Sequence, residues 1–252
     1  MIDESKLGNV TFNGVDLSKS NIFIAHYPLM GAPTKRQTVL TSVAHRNVVF
    51  DLNDYENVDI ELEFVIDADS FEDLTTKREL LFRTIDTNGY VPVQIQPDAY
   101  TYYMYRSSGI KEALFDSNPT NWIRIYTVTF SRDPFKYVTG VADITVTTSG
   151  TTITNPTRFS SLPLVTVHGG GTNSDGISVL DINGSIKLQD IQTYVNLDTL
   201  LEDAYKNVGS IYTNENARMI LPYFPVLKSG GNKITFDSSV SKVVITPRWR
   251  TL

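Results

Sequence analysis

Strict alternation of apolar and polar residues marks several segments in the first half of the chain. Residues 58–64 (VDIELEF) place apolar and acidic side chains at alternate positions. Because successive side chains of a strand point to opposite faces, this pattern predicts a strand with one buried and one solvated face. Three further strands are predicted from β-branched and aromatic runs at residues 90–96, 100–106 and 122–130.

One segment follows a helical period instead. Apolar residues recur at helical spacing at Phe71, Leu74, Leu81, Phe82 and Ile85. Ser70 is suited to cap the N-terminus, and Asp73 stands where a capping box needs an acidic residue. Asn88 and Gly89 supply a stop signal at the other end. The sequence therefore predicts a helix at about residues 70–87.

The strand pattern is interrupted at residues 133–137, which read DPFKY. Proline cannot donate to a sheet ladder and restricts the residue before it. We expect a domain boundary near this break. The chain then divides into an N-terminal β domain with one helix, residues 1–138, and a C-terminal β domain, residues 139–252.

The second half reads as short strands separated by turns. The expected strands lie at residues 141–148, 164–168, 177–182, 185–189, 188–197, 217–221, 233–236 and 240–246. Asn183 and Gly184 predict a type I′ hairpin turn. Residues 197–206 are the one candidate for a short helix. This spacing predicts a mainly β fold class, with a sandwich or jelly roll in the second half.

Composition narrows the environment in which the protein works. The chain has no cysteine, which removes disulfides and thiolate metal sites together. No apolar run reaches the length of roughly 18–20 residues that spans a bilayer, so we expect no membrane insertion. The first residues (MIDESK) are polar and acidic, unlike a signal peptide. We therefore expect synthesis in a host cytoplasm without an export signal.

Charge is concentrated in the first half. Residues 1–137 hold 13 Lys and Arg against 19 Asp and Glu, whereas residues 138–252 hold 9 of each. With no basic stripe to bind phosphate, specific nucleic-acid binding is not expected. The segment 51–73 carries ten acidic residues and no basic one. It is either a solvated strand face followed by acids at a helix N-terminus, or a negative surface that repels DNA.

Candidate catalytic and metal-binding residues have simpler explanations. Residues 168–171 (HGGG) match an oxyanion loop by letter, but the chain lacks the G-x-S-x-G nucleophile motif, so we interpret them as a flexible turn between strands. His26, His45 and His168 are scattered and form no zinc-ligand pair. Residues 173–176 (NSDG) lack the spacing of a calcium loop and are interpreted as a turn.

The two carboxylates of a glycoside hydrolase site can lie far apart in the sequence. The sequence alone therefore neither identifies nor excludes such a pair. Such sites are usually lined by aromatic residues, and the two tryptophans, Trp122 and Trp249, are interpreted as packing residues. Of the functional classes, a hydrolase that uses His168 and carboxylates has the least support from the sequence. The sequence thus predicts a protein that is not an enzyme, with no catalytic, cofactor-binding or metal-binding residues and no cofactor.

A family resemblance takes the argument further. Residues 224–234 (FPVLKSGGNKI) and 247–252 (PRWRTL) resemble the closing patterns fP-x-L-x-x-G-x-N-x-I and PRWR-x-L of the distal tail (Dit) proteins of long, non-contractile-tailed phages. The strand led by Trp122 that ends in DPFKY is similar to the end of that family's N-terminal domain. The hairpin around Asn183, followed by Asn196, is similar to its middle C-terminal strands.

The resemblance implies the fold and the role. The N-terminal domain would be a β structure with one helix, related to tail-tube proteins, and six copies would close into a ring. The C-terminal domain would be a galectin-like β-sandwich outside the ring, in the short form without an arm or a carbohydrate-binding insertion. The ring would be a hub in the virion, at the distal end of the tail. The alternative function is a host-saccharide-binding adhesin module of the tail tip.

The implied partners follow from this position. They are copies of the same chain in single or stacked rings, the major tail tube protein above, the tail-tip hub protein below, and a receptor-binding protein at the side. DNA would pass through the ring without specific binding. We further hypothesise that Asp59, Glu61 and Glu63 face the lumen of the ring, where their charge would repel DNA.

Overall fold

The computed structural model describes residues 7–41, 46–114, 122–170, 176–220 and 223–252. Over these residues the chain is mainly β, as predicted, with one α-helix. It consists of two compact units, the first ending at Thr139 and the second comprising Gly140–Thr251. No helix in the described part of the chain is long and apolar enough to cross a membrane.

Unit 1 is built on one large sheet. Its strands are β1 (Val10–Phe12), β2 (Val15–Asp16), β3 (Ile22–Ile24), β4 (Lys35–Thr41), β5 (Asn47–Tyr55), β6 (Val58–Ile66), β7 (Val91–Ile95), β8 (Tyr100–Arg106), β9 (Lys111–Leu114) and β10 (Arg124–Val138). The strand order is β2-β1-β7-β8-β10-β6-β3, and β9 also pairs with β10. Strands β4 and β5 form a separate hairpin.

The large sheet curls until its two ends meet. The backbones of Gly8, just before β1, and Ile24, in β3 at the far end of the strand order, exchange two hydrogen bonds of 2.9 Å. The curl encloses a core to which β6 and β10 contribute alternate residues, among them Leu62, Phe64 and Phe130. Alternation along each strand therefore sorts apolar side chains inward and polar ones outward.

The predicted helix is confirmed as α1 (Phe71–Ile85). The hydroxyl of Ser70 accepts a hydrogen bond from the amide of Asp73 at 3.1 Å, which makes Ser70 the N-cap. The carboxylate of Asp73 reaches back to the amide of Asp69 at 3.1 Å, one residue before the N-cap. The helix buries Leu74, Leu81 and Ile85 in the core of unit 1. It ends at Ile85, three residues before the predicted stop signal.

The break expected at residues 133–137 does not end a strand. The register between β10 and β8 shifts between Arg132 and Lys136, so the segment forms an irregularity inside one long strand. The carboxylate of Asp133 accepts a hydrogen bond from the amide of Phe135 at 2.7 Å, which stabilises the local turn of the backbone. A bulge of this kind accommodates Pro134 without terminating the ladder.

Unit 2 contains two sheets. Their strands are β11 (Ile144–Val146), β12 (Thr151–Asn155), β13 (Leu164–Gly169), β14 (Ile177–Ile182), β15 (Ser185–Gln189), β16 (Tyr194–Asp198), β17 (Asp203–Val208), β18 (Ile211–Asn214), β19 (Gly230–Phe236) and β20 (Val240–Thr246). The short strand β21 (Arg250–Thr251) belongs to neither of these two sheets. One sheet has the order β11-β20-β13-β16-β17-β18 and the other β12-β19-β14-β15. Residues of both sheets, such as Val165 and Ile234, share one core, which confirms the predicted sandwich.

Three predictions for unit 2 are wrong in detail. Residues 197–206, expected as a helix, end β16, turn, and begin β17. The carboxylate of Asp198 accepts the amides of Leu200 and Leu201 at 3.1 and 3.3 Å, which favours a turn over helix propagation. Of the strand expected at residues 217–221, residues 217 and 218 belong to a short 3₁₀ turn, and residue 221 lies outside the described residues. The strand expected at residues 188–197 is interrupted at residues 190–193.

The turn at Asn183 and Gly184 also differs from type I′. Asn183 has a φ of 58°, but Gly184 does not lie in the left-handed region, which a type I′ turn requires of both residues. The strand register pairs Asp181 with Ser185, so the connection is three residues long. A Cβ on Gly184 would lie 2.5 Å from Cζ of Tyr223. Glycine is needed there because the Tyr223 ring packs against the turn.

Candidate interaction surfaces

The acidic row of β6 lies on the outer face of the unit 1 sheet. Asp59 and Glu61 are exposed and Glu63 is half-buried, while the intervening Ile60 and Leu62 are buried. The predicted alternation is therefore confirmed. Among the described residues, neither Asp59 nor Glu61 has a cationic partner within 4.0 Å, whereas Nδ1 of His26 lies 3.6 Å from Glu63.

Hydroxyl side chains stand beside the acidic row. In the ladder with β10, Asp59, Glu61 and Glu63 pair with Ser131, Thr129 and Thr127. Paired residues of neighbouring strands project from the same face of a sheet. The outer face therefore carries carboxylates next to two partly exposed threonines and the buried Ser131. Lys111 of β9 also pairs with Thr127, so a cation borders the acidic row on this face.

Tyrosines continue this face on the other side of β10. Ser131 pairs with Tyr105 of β8. The ring of Tyr105 lies 5.1 Å from that of Tyr90, and the ring of Tyr103 lies 5.0 Å from that of Tyr137, both edge to face. Sequence reasoning found the strand 100–106 but not these pairs, because they join residues that are distant along the chain.

Arg132 is a second feature that the sequence did not reveal. Its side chain is buried and donates to the carbonyls of Gly31 at 3.3 Å and Pro134 at 3.5 Å. Its guanidinium lies over the ring of Tyr102, 5.5 Å from the ring centroid. Burial lowers the pKa of Arg132 and raises the pKa of Tyr102, whose hydroxyl donates to Asp98. We assign this cluster a structural role beside the bulge of β10.

The candidate catalytic and metal-binding residues do not come together among the described residues. No group of three or more His, Asp or Glu there could hold a metal ion. His26 belongs to unit 1 and contacts Glu63. His168 belongs to unit 2, and its ring centroid lies 5.8 Å from that of Tyr194, with the two rings tilted. His45 and residues 173–175 of the proposed NSDG turn lie outside the described residues.

The turn expected at residues 168–171 does not include His168 and Gly169. His168 and Gly169 are the last residues of β13, and Gly170 follows directly; Gly171 lies outside the described residues. A Cβ on Gly169 would lie 2.5 Å from the carbonyl oxygen of Ile191, and a Cβ on Gly170 would lie 2.3 Å from Cβ of Ser241. These glycines allow neighbouring backbone to approach closely, and that requirement accounts for them.

The motif residues near the C-terminus hold unit 2 together. Asn232 is fully buried, and its amide donates to the carbonyls of Lys228 and Gly230 at 2.8 and 2.9 Å. Its side-chain oxygen accepts the amide of Lys228 at 2.8 Å and Nδ2 of Asn183 at 2.7 Å. Every hydrogen-bonding group of this side chain is thus satisfied internally. It closes the turn between residues 228 and 232.

The residues of the second motif, 247–252, also make contacts that stabilise unit 2. Trp249 is buried in the core of unit 2, as its interpretation as a packing residue expected. Arg248 forms an ion pair with Asp198, and Nε of Arg250 donates to the carbonyl of Ser160 at 2.7 Å. The residues that carry the family resemblance are therefore residues of the fold, and none of these contacts forms a ligand-binding site.

Unit 1 also has a groove on its surface. Its volume is about 440 Å³, and it lies between the C-terminal half of α1 and the edge strand β2. Val15, Leu80 and Val91 supply its apolar wall, and Arg83 and Asp86 are among its polar residues. Arg106 pairs with Asp86 at 2.7 Å, so this carboxylate is already engaged.

Comparison with known proteins found similar solved structures, but no similar sequence. No family model and no curated protein sequence matches the chain. The crystal structure of the Dit protein (gp 19.1) of phage SPP1, described as a paradigm of the hub adsorption apparatus in phages that infect Gram-positive bacteria, matches with a TM-score of 0.66 and 16% identity. The match covers 98% of this chain and 100% of that chain.

Two structures of the phage P2 baseplate in its activated conformation also match. The structure with Ca has a TM-score of 0.57 and the one with Sr a TM-score of 0.60, each at 10% identity over 95% of this chain and 96% of that chain. At these identities the likeness shows the fold. The chain therefore has the fold of a phage distal tail protein over nearly its whole length, as the sequence resemblance predicted.

Proposed function

We propose that this chain is a non-enzymatic structural protein of a phage tail tip, in which six copies form a ring-shaped hub. The supporting observation is the likeness to the SPP1 Dit protein, which covers 98% of this chain and 100% of that chain, and so includes both units. Fold alone does not fix function. The surfaces of the molecule must also suit assembly, and they do so in two respects.

The first respect is the distribution of exposed apolar residues in unit 1. A cyclic ring needs two different, complementary surfaces on every subunit. Leu29, in the segment between β3 and β4, is 91% exposed, and Phe71, the first residue of α1, is 62% exposed. In our proposal these two separate apolar positions belong to different contacts of the ring.

The second respect is the acidic outer face of β6. In our proposal Asp59, Glu61 and Glu63 face the lumen of the ring, where six copies present three carboxylates each. A wall with an excess of carboxylates repels DNA phosphates. DNA would therefore pass through the ring without being held.

The position of the hub determines its partners. We propose that the ring lies at the distal end of the tail in the virion, with the major tail tube protein above it and the tail-tip hub protein below it. A receptor-binding protein would attach at the side, and two rings could stack. We propose the short form of the C-terminal unit, which is supported by a match that covers 98% of this chain and 100% of the SPP1 protein.

The direct test is the assembly state of the full-length protein. Size-exclusion chromatography with light scattering over a wide concentration range should reveal a species of six 28.2 kDa chains. Negative-stain images of that species should show rings with six-fold symmetry. A protein that stays monomeric at every concentration, and that is absent from the tips of purified tails by immunogold labelling, contradicts the proposal.

The tyrosines of β16, β17 and β18 in unit 2 give little support to the alternative function, a saccharide-binding adhesin. The rings of Tyr205 and Tyr212 stack on each other at 5.2 Å, and Nζ of Lys206 lies 5.5 Å from the ring centroid of Tyr194. Ring faces that are already covered are poor platforms for sugars. A glycan array probed with the full-length protein separates the two functions, because specific glycan binding would favour the adhesin.

A further inference from the structure

The chain contains three Asn-Gly pairs, which begin at Asn13, Asn88 and Asn183. In such a pair the backbone nitrogen of glycine can attack Cγ of the asparagine side chain, because glycine has no side chain that obstructs a close approach. The new N–Cγ bond closes a succinimide ring, the Cγ–Nδ2 bond breaks, and ammonia leaves with the proton of the glycine amide. Water then opens the ring to aspartate or isoaspartate. The local structure of each pair therefore decides whether it reacts in the folded protein.

The first pair is locked in the turn between β1 and β2. Asn13 has a φ of 50° and Gly14 a φ of 80°, as a type I′ hairpin turn requires, and Phe12 pairs with Val15 across the turn. The amide of Asn13 also donates to the carbonyl of Pro92 at 2.8 Å. Ring closure needs the asparagine backbone to rotate until the glycine nitrogen faces Cγ. The turn must therefore open before this pair can react.

The pair at Asn183 is held through its side chain as well as its backbone. Asn183 has a φ of 58°, and its Nδ2 donates to the carbonyl of Val226 at 2.8 Å and to Oδ1 of Asn232 at 2.7 Å. The hydroxyl of Tyr223 donates to the carbonyl of Asn183 at 3.2 Å. Because these contacts fix the amide group, Cγ cannot turn toward the nitrogen of Gly184 without breaking them.

The pair at Asn88 has neither restraint. Asn88 and Gly89 lie between α1 and β7, belong to no helix or strand, and are both exposed. Asn88 does not lie in the left-handed region. Within the described ranges of the chain, no hydrogen bond holds the side chain of Asn88 or the amide of Gly89. The hydroxyl of Thr87 donates to the carbonyl of Gly89 at 3.3 Å, which leaves the attacking nitrogen free.

We propose that Asn88 is a site of spontaneous deamidation in the folded protein, whereas Asn13 and Asn183 are protected from the reaction by their turns. The reaction consumes only water and releases ammonia, so it needs no other reactant. This inference goes beyond the hub function and is independent of it, because it concerns a single copy of the chain.

The products change the connection between α1 and β7. Isoaspartate continues the main chain through its side-chain carbonyl, so the connection becomes longer by one methylene group. Tyr90 follows directly and packs edge to face on Tyr105 at 5.1 Å, and we expect the longer connection to loosen this contact. Either product also adds a carboxylate to the groove between α1 and β2, which Asn88 and Asp86 both line.

The first test compares the three pairs within one molecule. Full-length protein is incubated at mildly alkaline pH, which favours loss of the glycine amide proton, both in native buffer and in urea that unfolds it. Peptide mapping by mass spectrometry measures the conversion of amide to acid at each pair. In urea we expect the three pairs to react at similar rates. In native buffer Asn88 should keep most of its unfolded rate, and the other two should react at least about tenfold more slowly than in urea.

The matched control is Asn88→Ser, which has no side-chain amide to lose at this position. Isoelectric focusing of incubated native protein should show an acidic species that accumulates in wild type and not in this variant. An acidic species that forms at the wild-type rate in Asn88→Ser overturns the proposal. Protection of Asn88 in native buffer as strong as that of the other two pairs also overturns it, as does a lack of protection at either of them.

The second test separates the longer connection from the added charge. Protein isoaspartyl methyltransferase, with S-adenosylmethionine as the methyl donor, should label incubated wild-type protein on the peptide that contains residue 88. The control Asn88→Asp carries the charge without the extra methylene group and should not be labelled there. Hydrogen exchange at Tyr90 and Val91 should be faster in the isoaspartyl protein than in Asn88→Asp. Absence of the label at residue 88 excludes isoaspartate, and equal exchange in the two proteins excludes the loosened contact.

Discussion

Arg248 and Asp198 form a bidentate ion pair that joins the last residues of the chain to the end of strand β16. Nη1 of Arg248 lies 2.6 Å from Oδ1 of Asp198, and Nη2 lies 2.8 Å from Oδ2. The side chain of Asp198 is only 3% exposed and also accepts two backbone amides from the turn that follows it. Both hydrogen-bonding edges of the carboxylate are therefore engaged, and Arg248 neutralises its charge.

Removing Arg248 should destabilise unit 2. Arg248→Met leaves a buried, unpaired carboxylate, and breaking one side of a buried pair costs about 3 kcal/mol. The matched control is Lys19→Met, which removes an ion pair to Asp16 at 3.8 Å whose lysine is 80% exposed, and which should change stability by less than about 0.5 kcal/mol.

Tryptophan fluorescence can assign this loss to one unit. Trp122 packs against the core of unit 1 and Trp249 is buried in the core of unit 2. In a Trp122→Phe background, urea unfolding followed by Trp249 reports on unit 2 alone. An Arg248→Met transition at the same urea concentration as that of the parent protein would show that the ion pair contributes nothing to unit 2.

Gly184 should be intolerant of even a methyl group. An added Cβ would lie 2.5 Å from Cζ of Tyr223, so Gly184→Ala forces the ring or the turn to move, at a cost of about 2 kcal/mol. Gly231→Ala is the control, because its Cβ would meet the methyl group of Thr152 at 3.4 Å, an ordinary contact. If the clash causes the loss, Gly184→Ala should cost much less in a Tyr223→Ala background. Equal costs in both backgrounds, measured by urea unfolding, would exclude the clash as the cause.

The pKa of His168 should lie below the ordinary histidine value of 6.5. Burial lowers the pKa, and the nearby Lys242 lowers it further. Titration of the ring signals by NMR measures it directly, and Lys242→Gln should raise it without restoring 6.5, because burial is the larger cause. Since the folded protein binds this proton less tightly than the unfolded chain, His168 favours unfolding as the pH falls below about 6.5. A measured pKa above 6.5 would contradict the prediction.

Local patterns in the sequence were sufficient where one periodicity governs a whole element. The strand Val58–Ile66 and the helix Phe71–Ile85 follow their patterns at nearly every position, so both were predicted. The helix expected at residues 197–206 failed because its apolar residues have unrelated environments. Leu197 is fully buried in β16, whereas Leu201 is 67% exposed in the following turn. Hydrophobic spacing alone cannot distinguish these two situations.

The candidate surfaces were predictable only in part for a related reason. Alternation along β6 fixes which face Asp59 and Glu61 share, and the structure has them exposed together. The pairing of Tyr105 with Tyr90, and the burial of Arg132 beside Tyr102, depend on contacts between distant segments. No local pattern encodes them. Whether the acidic row faces a lumen depends on other copies of the chain, so it stays a prediction.

A heavy-atom label can locate the acidic row in the assembled ring. Asp59→Cys introduces the only cysteine of the chain at an exposed position of β6, where a monomaleimide gold cluster can attach. Ser210→Cys, in the exposed turn between β17 and β18, is the control, because the proposed ring has unit 2 on its outside. Averaged electron micrographs should show density within the central channel for Asp59→Cys and at the periphery for Ser210→Cys.

The two labels must give different images if the row lines the channel. Gold held close to the six-fold axis would also narrow the channel, so labelled Asp59→Cys rings should exclude stain from their centres while labelled Ser210→Cys rings do not. Gold at the periphery for both variants, with open centres, would show that the carboxylates of β6 face outward. The hydrated acidic face would then be an ordinary solvent-exposed surface, and the channel would have to be lined by another part of unit 1.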